Sequence, residues 1–387
     1  MGQGTEPFSL YVHIPYCIKK CPYCDFNVHV VSRIPEAAYS EALLAELEYY
    51  AGLGDWRGRS LKSIYFGGGT PSTFSPSGIA RILERAAALF PFERDVEITL
   101  EANPGREDSK HYSGYRSCGV NRVSLGAQSF QPHLLDFLGR LHTAEETCEA
   151  LRIVRQAGFE NFNLDLISAS PRQSMTDLTA DLEKALSFEP PHLSAYSLTI
   201  EEGTAFHREY LAGRLTTLPE ETEVAMAELI EETLSRAGLE RYEISNYARP
   251  GRRSRHNLNY WEGGDYLGLG AGAHSFKREN GAGGLRWHNE RNPGRYMEKV
   301  QRSGKAVAGE EKLDLWRAAG EFMFSGLRMI EGISVENFRR RFEISPEEFC
   351  PRIHDFLEEG LMEKRDGRLR LTRRGLLVAD AIFVSFV

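Results

Sequence analysis

The chain has 387 residues, 41% of them hydrophobic and 26% charged, with a formal net charge of −8. That length exceeds one ordinary core and points to two or three domains. The acidic balance excludes an overall basic surface for nucleic acid, and no apolar run approaches the length of a membrane span.

In chain order, the opening Met1–Glu6 lacks the charged and apolar regions of a signal peptide, so a cytoplasmic location is expected. From Ser9 to Thr199 short apolar runs alternate with amphipathic stretches. They predict strands at Ser9–Ile14, Lys62–Phe66, Val96–Glu101, Asn121–Gly126, Phe162–Ile167 and His192–Leu198. Helices are predicted at Glu36–Ala51, Pro76–Phe90, Glu107–Cys118, Thr143–Ala157 and Ser174–Phe188. Six strand–helix units with right-handed crossovers give a parallel α/β sheet, and they fall short of the eight in a closed barrel. An open or partial (βα)6 barrel is therefore expected. Next come a helix at Glu220–Ala237, a strand at Arg241–Tyr247 and an irregular Gly-, Arg- and aromatic-rich segment from Ala248 to Pro293. The tail from Leu313 reads as three helices, Ser334–Phe342 and Pro346–Glu359 being the second and third, then a hairpin at Asp366-Gly367, the order of a winged helix. Expected domains are 1–205 (barrel), 206–305 (α+β extension) and 306–387 (winged-helix-like).

The unusual residues fall in register on the C-terminal ends of those strands, where parallel α/β folds place their chemistry. Cys17, Cys21 and Cys24 form a Cys-x3-Cys-x2-Cys run after the first strand. Three thiolates on a 4Fe–4S cluster leave one iron open to an outside ligand. The competing readings are a zinc knuckle with a distant fourth ligand and three unligated thiols. Cys118, Cys148 and Cys350 are scattered and do not make a disulfide framework. Gly67-Gly68-Gly69-Thr70 follows the second strand; without a following Gly-Lys-Ser/Thr it is no phosphate loop, and its bare backbone suits a small zwitterion or a plain tight turn. Glu101, Gln128, Arg140 and Asp165 are placed to meet a nucleoside's hydroxyl, amino and carboxylate groups, or simply to bond one another at the rim.

His256-Asn257-Leu258-Asn259-Tyr260-Trp261, after Arg249, Arg252, Arg253 and Arg255, offers an imidazole for heme iron, aromatics for a porphyrin face and arginines for propionates. A solvated basic loop pinned by its aromatics is the plainer reading. Gly268-Leu269-Gly270-Ala271-Gly272-Ala273-His274-Ser275 also stands out, with no role assigned. Arg339-Arg340-Arg341 suggests a DNA-reading helix, but acidic residues slightly outnumber basic ones from Glu311 onward, which suits an interaction module better.

Y-V-H-I-P-Y-C-I-K-K-C-P-Y-C, G-G-G-T-P, L-E-A-N-P, G-A-Q-S-F and S-A-Y-S-L-T-I-E-E-G-T resemble radical S-adenosylmethionine proteins of the oxygen-independent coproporphyrinogen III oxidase group, over most of the chain. The resemblance implies that Cys17, Cys21 and Cys24 hold the cluster, with S-adenosylmethionine chelating the open iron. Tyr11, Tyr23, Gly68, Gly69, Thr70, Glu101, Gln128, Arg140 and Asp165 match its contact positions. It further implies reductive cleavage to a 5′-deoxyadenosyl radical. The oxidases proper resemble C-x3-C-x2-C-x-C after a long N-terminal arm, whereas Phe26 stands at the extra cysteine here. The C-D-F ending and H-N-x-x-Y-W resemble the heme chaperone branch. That branch implies heme carried through His256, delivery to respiratory and other hemoproteins, dimerisation, peripheral contact with membrane-associated partners, and no coproporphyrinogen III dehydrogenase activity. The dehydrogenase itself and, more remotely, a transcriptional regulator are the alternatives. Two positions depart from the family pattern: Ile167-Ser168-Ala169-Ser170-Pro171 replaces I-x-G-L-P, and Ser254 replaces a cysteine.

Overall fold

A computed structural model describes residues 6–279 and 283–386. All six expected strands form: Phe8–Ile14 (β1), Leu61–Gly68 (β2), Phe92–Ala102 (β3), Arg122–Gln128 (β4), Phe162–Ser168 (β5) and His192–Ser197 (β6). They lie side by side in chain order and pair in parallel, with Tyr11 opposite Tyr65 and His13 opposite Gly67.

Each strand alternates two kinds of side chain. Leu10, Val12, Ile64, Phe66, Leu100, Val123, Leu125, Leu164 and Leu193 pack outward under helices carrying Tyr39, Leu43, Leu47, Ile82, Leu151, Val154 and Leu182. Ser9, Ser63, Glu97, Thr99, Arg122, Ser124, Asn163, His192 and Ser194 are buried on the other face, so the inside of the barrel is polar. The covering helices start where their caps dictate. Thr143 and Glu146 form a capping box for Ala144–Gln156, Ser174 and Asp177 one for Met175–Leu186, and Ser75 caps Pro76–Leu89.

Four expectations before the tail need correction. The helix read at Glu107–Cys118 is two short ones, Arg106–Ser109 and Tyr112–Ser117. β3 begins earlier than its apolar run because Arg255 reaches Glu93 and Asp95 and holds that polar stretch in place. The strand drawn at Arg241–Tyr247 is two, Glu240–Arg241 (β7) and Asn246–Ala248 (β8), around a turn where the Glu243 carboxylate accepts from Ser245 N (2.9 Å) and Asn246 Nδ2 (2.5 Å). Finally, Ala248–Pro293 is not irregular. It contains the helix Arg255–Trp261 and strands Tyr266–Leu269 (β9), His274–Arg278 (β10) and Gly284–Asn289 (β11). With Val307–Leu313 (β12) they extend the sheet to twelve strands, ordered β12-β11-β10-β9-β1-β2-β3-β4-β5-β6-β8-β7. β9 runs parallel to β1, pairing Tyr11 with Gly268, so β1 is an interior strand rather than an open edge.

The tail packs around a second core of Leu327, Phe338, Phe342, Ile353, Leu369 and Phe383. Its strands Ile333–Ser334 (β13), Met362–Arg365 (β14) and Arg368–Leu371 (β15) form the wing, with the hairpin turning at Asp366-Gly367 as expected. The helix read at Pro346–Glu359 is split into Pro346–Phe349 and Ile353–Glu358, because Pro351 has no N–H to continue it.

Candidate functional site

The cysteine loop leaves β1 and folds back over the end of β2. Gly69 N donates to Ile14 O (2.8 Å) and Thr70 N to Tyr16 O (2.9 Å). A side chain at Gly69 would come within 2.6 Å of the Tyr16 carbonyl, so this close approach requires glycine. Gly68 has φ +118°, and a Cβ there would strike the His13 ring. His13 is fixed in turn, with Nδ1 2.9 Å from the Tyr11 hydroxyl and Nε2 3.0 Å from Asn27 O.

Cys17, Cys21 and Cys24 are free thiols, Cys17 buried and the others half-buried. Burial is the main cause that raises the pKa of Cys17 and Cys24, and the charges of the neighbouring cysteines add to it, so the three share one electrostatic neighbourhood. Cys17 Sγ lies 3.3 Å from Thr70 Oγ1, which accepts from Asn103 Nδ2 at 3.1 Å. Asn103 Oδ1 receives Arg140 Nη2 at 2.5 Å, and Arg140 Nη1 points at Cys21 Sγ from 3.6 Å. Thr70, Asn103 and Arg140 thus bridge two of the three thiols. Tyr23 packs its ring toward Phe206 with its hydroxyl beside Cys21 and Arg140, and burial raises its pKa.

Around the mouth, Glu101 accepts from Tyr65 Oη (2.7 Å) and Gly68 N (3.2 Å); burial, with the nearby Asp165 charge, raises its pKa to about 7. Asp165 accepts from Ser124 Oγ (3.1 Å) and Asn163 Nδ2 (2.7 Å), and burial raises its pKa too. Gln128 has φ +65° at a break in the β4–β5 register, and its Nε2 lies beside Gly126, next to Arg140 and Asn103. Tyr11, Gly68, Gly69, Thr70, Glu101, Gln128, Arg140, Asp165 and the cysteines therefore meet at one end of the barrel. Asn103 and Tyr65 belong there as well, though the sequence reading gave them no role. Asn103 was visible inside L-E-A-N-P, and Tyr65 shares a strand face with Gly67.

His256 is elsewhere. It lies beneath the mouth, 1% exposed, with Nδ1 2.9 Å from Ser63 Oγ, Nε2 2.9 Å from the Tyr260 hydroxyl, and its ring stacked on Tyr65. Ser63 gives its own hydrogen to Ser9 (2.7 Å), so the imidazole donates from Nδ1 and accepts at Nε2. Burial lowers its pKa to about 3. Both imidazole nitrogens are thus engaged inside the protein, at the residue the sequence reading expected to meet heme.

The donor set suits a cluster. Each thiolate of a cubane binds a different iron, so its ligands stand apart rather than closing on a point. Among the described residues no three or more His, Cys, Asp or Glu side chains are grouped to hold one metal ion. Thr99 Oγ1, Arg122 Nε and Arg140 Nε are buried without hydrogen-bond partners, leaving polar capacity at and below the mouth for a polar ligand.

Two family models match: the Radical SAM superfamily over residues 11–185 and the HemN C-terminal domain over residues 313–378. Heme chaperone HemW of Escherichia coli K12 is 34% identical over 98% of both chains. This chain belongs to the HemW family. HemW of Haemophilus influenzae is 36% identical, again over 98% of each chain. Among solved structures, coproporphyrinogen III oxidase (HemN) from Escherichia coli, a radical SAM enzyme, superposes with a TM-score of 0.83 at 22% identity, over 99% of this chain and 90% of that one. That likeness shows the shared fold: a radical SAM α/β barrel with a HemN-type C-terminal domain. Radical SAM membership carries with it a 4Fe–4S cluster and S-adenosylmethionine. No helix among the described residues is long and apolar enough to cross a membrane.

Proposed function

We propose that this protein is a heme chaperone built on a radical SAM barrel, holding its cluster through Cys17, Cys21 and Cys24. The observation that supports it most is the hydrogen-bonded bridge Cys17–Thr70–Asn103–Arg140–Cys21, which sets the thiols against the glycine turn. When bound, the cluster supplies an open iron and one-electron chemistry toward S-adenosylmethionine. The chain's own residues bind and orient. The bare Gly68-Gly69 backbone admits the amino-acid end of that ligand. Glu101 and Asp165 meet its amino and hydroxyl groups, Gln128 and Arg140 its carboxylate, and Tyr11 and Tyr23 wall it in. Residues 1–205 form this cofactor unit, 206–305 the extension and 306–387 an interaction module.

The cargo is heme and the recipients are hemoproteins, including membrane-associated respiratory enzymes, which a cytoplasmic, dimeric chaperone reaches by peripheral contact. The relatives' name and the full-length match support this reading. The experiment is one reconstituted preparation assayed twice, by an absorbance titration with heme and by an anaerobic decarboxylation assay. Heme uptake without protoporphyrinogen IX is the expected result. Protoporphyrinogen IX formation would make the protein a coproporphyrinogen III dehydrogenase instead.

A further inference from the structure

The Gly268–Ser275 run acquires a role once the hydrogen bonds around it are traced. Its backbone is clamped to the cysteine loop, where Asn27 Nδ2 donates to Ala271 O (2.9 Å) and to Arg291 O (3.0 Å). His29 Nε2 also meets Arg291 O, at 3.2 Å. His274, first residue of β10, projects from that clamp as an exposed side chain. Opposite it in the β10–β11 register is His288, the two rings 5.3 Å apart and tilted by 32°. No hydrogen bond or ion pair engages the His274 imidazole among the described residues.

We propose that His274 is the axial ligand through which this chain holds heme iron, in a bay bordered by His288, Arg291 and the cysteine loop. The proposal rests on the heme-chaperone reading and deepens it. Heme arrives with its iron already held by four porphyrin nitrogens, so the protein need supply only an axial imidazole with a free lone pair. His274 has one; partial desolvation at its base, with the neighbouring His288, lowers its pKa. His288 steadies the ring from one side. The Arg291 side chain is exposed and makes no ion pair among the described residues, a free fork for a propionate. Phe26 and Val30, on the same loop as Asn27 and His29, are 60% and 57% exposed and offer apolar surface to a macrocycle.

The test is a heme titration of the full-length, cluster-reconstituted protein, read by Soret position and by electron paramagnetic resonance. Wild type shows a histidine-ligated heme. His274→Ala weakens binding by at least about tenfold and loses that ligation signature, and added imidazole restores the spectrum, which repair of a merely structural defect would not do. His274 is exposed, so the variant keeps its fold, checked by circular dichroism. An unchanged signature in His274→Ala, or its loss in His256→Ala alone, overturns the assignment while leaving the chaperone reading intact. Absence of heme uptake by wild type overturns both.

Discussion

The loop that carries the three cysteines and the helix Arg255–Trp261 are the two most conspicuous segments of the chain, and they use their polar atoms in opposite ways. In the helix almost every donor is committed to the fold. Glu97 accepts from Arg255 N (3.2 Å), His256 N (3.1 Å) and Ser254 Oγ (3.5 Å), clamping the helix N-terminus to β3. His256 uses both nitrogens, and the Trp261 ring lies under the Arg328 guanidinium at 4.6 Å. In the loop no thiol is tied into a disulfide, Ile18 and Phe26 face solvent, and Thr70 and Arg140 orient two of the sulfurs. A motif whose atoms are mostly spent inside the protein is a scaffold; one whose atoms are held but not spent is a site.

The strongest way to break that contrast is to remove a sulfur. Cys17→Ala, Cys21→Ala and Cys24→Ala should each abolish the brown iron–sulfur absorbance of the reconstituted protein while its circular dichroism stays native. Full iron content in any one of them would take that cysteine out of the ligand set. On the scaffold side, Glu97→Ala strands two buried N–H groups at the helix start, each costing about 1–3 kcal/mol. Chemical denaturation should show a loss of roughly 2–4 kcal/mol, with iron loading intact below the transition. A loss under about 0.5 kcal/mol would mean the carboxylate is not what docks the helix.

The same contrast explains how much could be read in advance. The six parallel strands were legible because their outward residues are continuous apolar β-formers such as Leu10-Val12 and Leu164-Leu166. The rim residues were legible because they sit at the ends of those strands. β9 was not: Tyr266-Leu267-Gly268-Leu269 is short and glycine-bearing, and it becomes a strand only by pairing with β1. The burial of His256 was equally hidden. Its partners Ser63 and Tyr65 lie nearly two hundred residues earlier, and no local pattern announces that a His-Asn-x-x-Tyr-Trp helix will plug a polar barrel. Arg140 was read as a rim residue, but its partners were not legible, since they are Asn103, just after β3, and Gly126 O (3.0 Å) of β4.

A smaller effect probes a carboxylate on the scaffold side. Glu46, fully buried, accepts from Gly270 N (3.0 Å), Asn289 Nδ2 (2.7 Å) and Tyr296 Oη (2.7 Å). Burial outweighs those three bonds and raises its pKa from 4.5 to about 7. Between those values the native state binds a proton that the unfolded chain has released, so this group's contribution to stability falls as pH rises through the window. The buried neutral histidines, His13, His142, His192 and His256, have lowered pKa values and act in the opposite sense. Comparison with Glu46→Gln cancels them. Relative to that variant, wild type should lose on the order of 2 kcal/mol between pH 4.5 and 7.5, read from urea midpoints. A flat difference would show that the carboxyl is ionised throughout.

The smallest expected effect returns to the rim. Ala169 follows β5, and its φ is +55°. A left-handed backbone costs an alanine about 1–2 kcal/mol, because Cβ crowds the carbonyl. The segment is nonetheless held, with Leu198 N donating to Ser168 O at 2.8 Å and Gln173 Nε2 to Ile167 O at 3.4 Å. Ala169→Gly relieves the crowding, while glycine's extra freedom in the unfolded chain takes back about 0.4–1 kcal/mol. The net gain should be roughly 0.5–1 kcal/mol. If the variant is instead less stable, the buried Cβ of Ala169 contributes more through packing than it costs in strain, and the rim at β5 would be scaffold in the same sense as the helix below it.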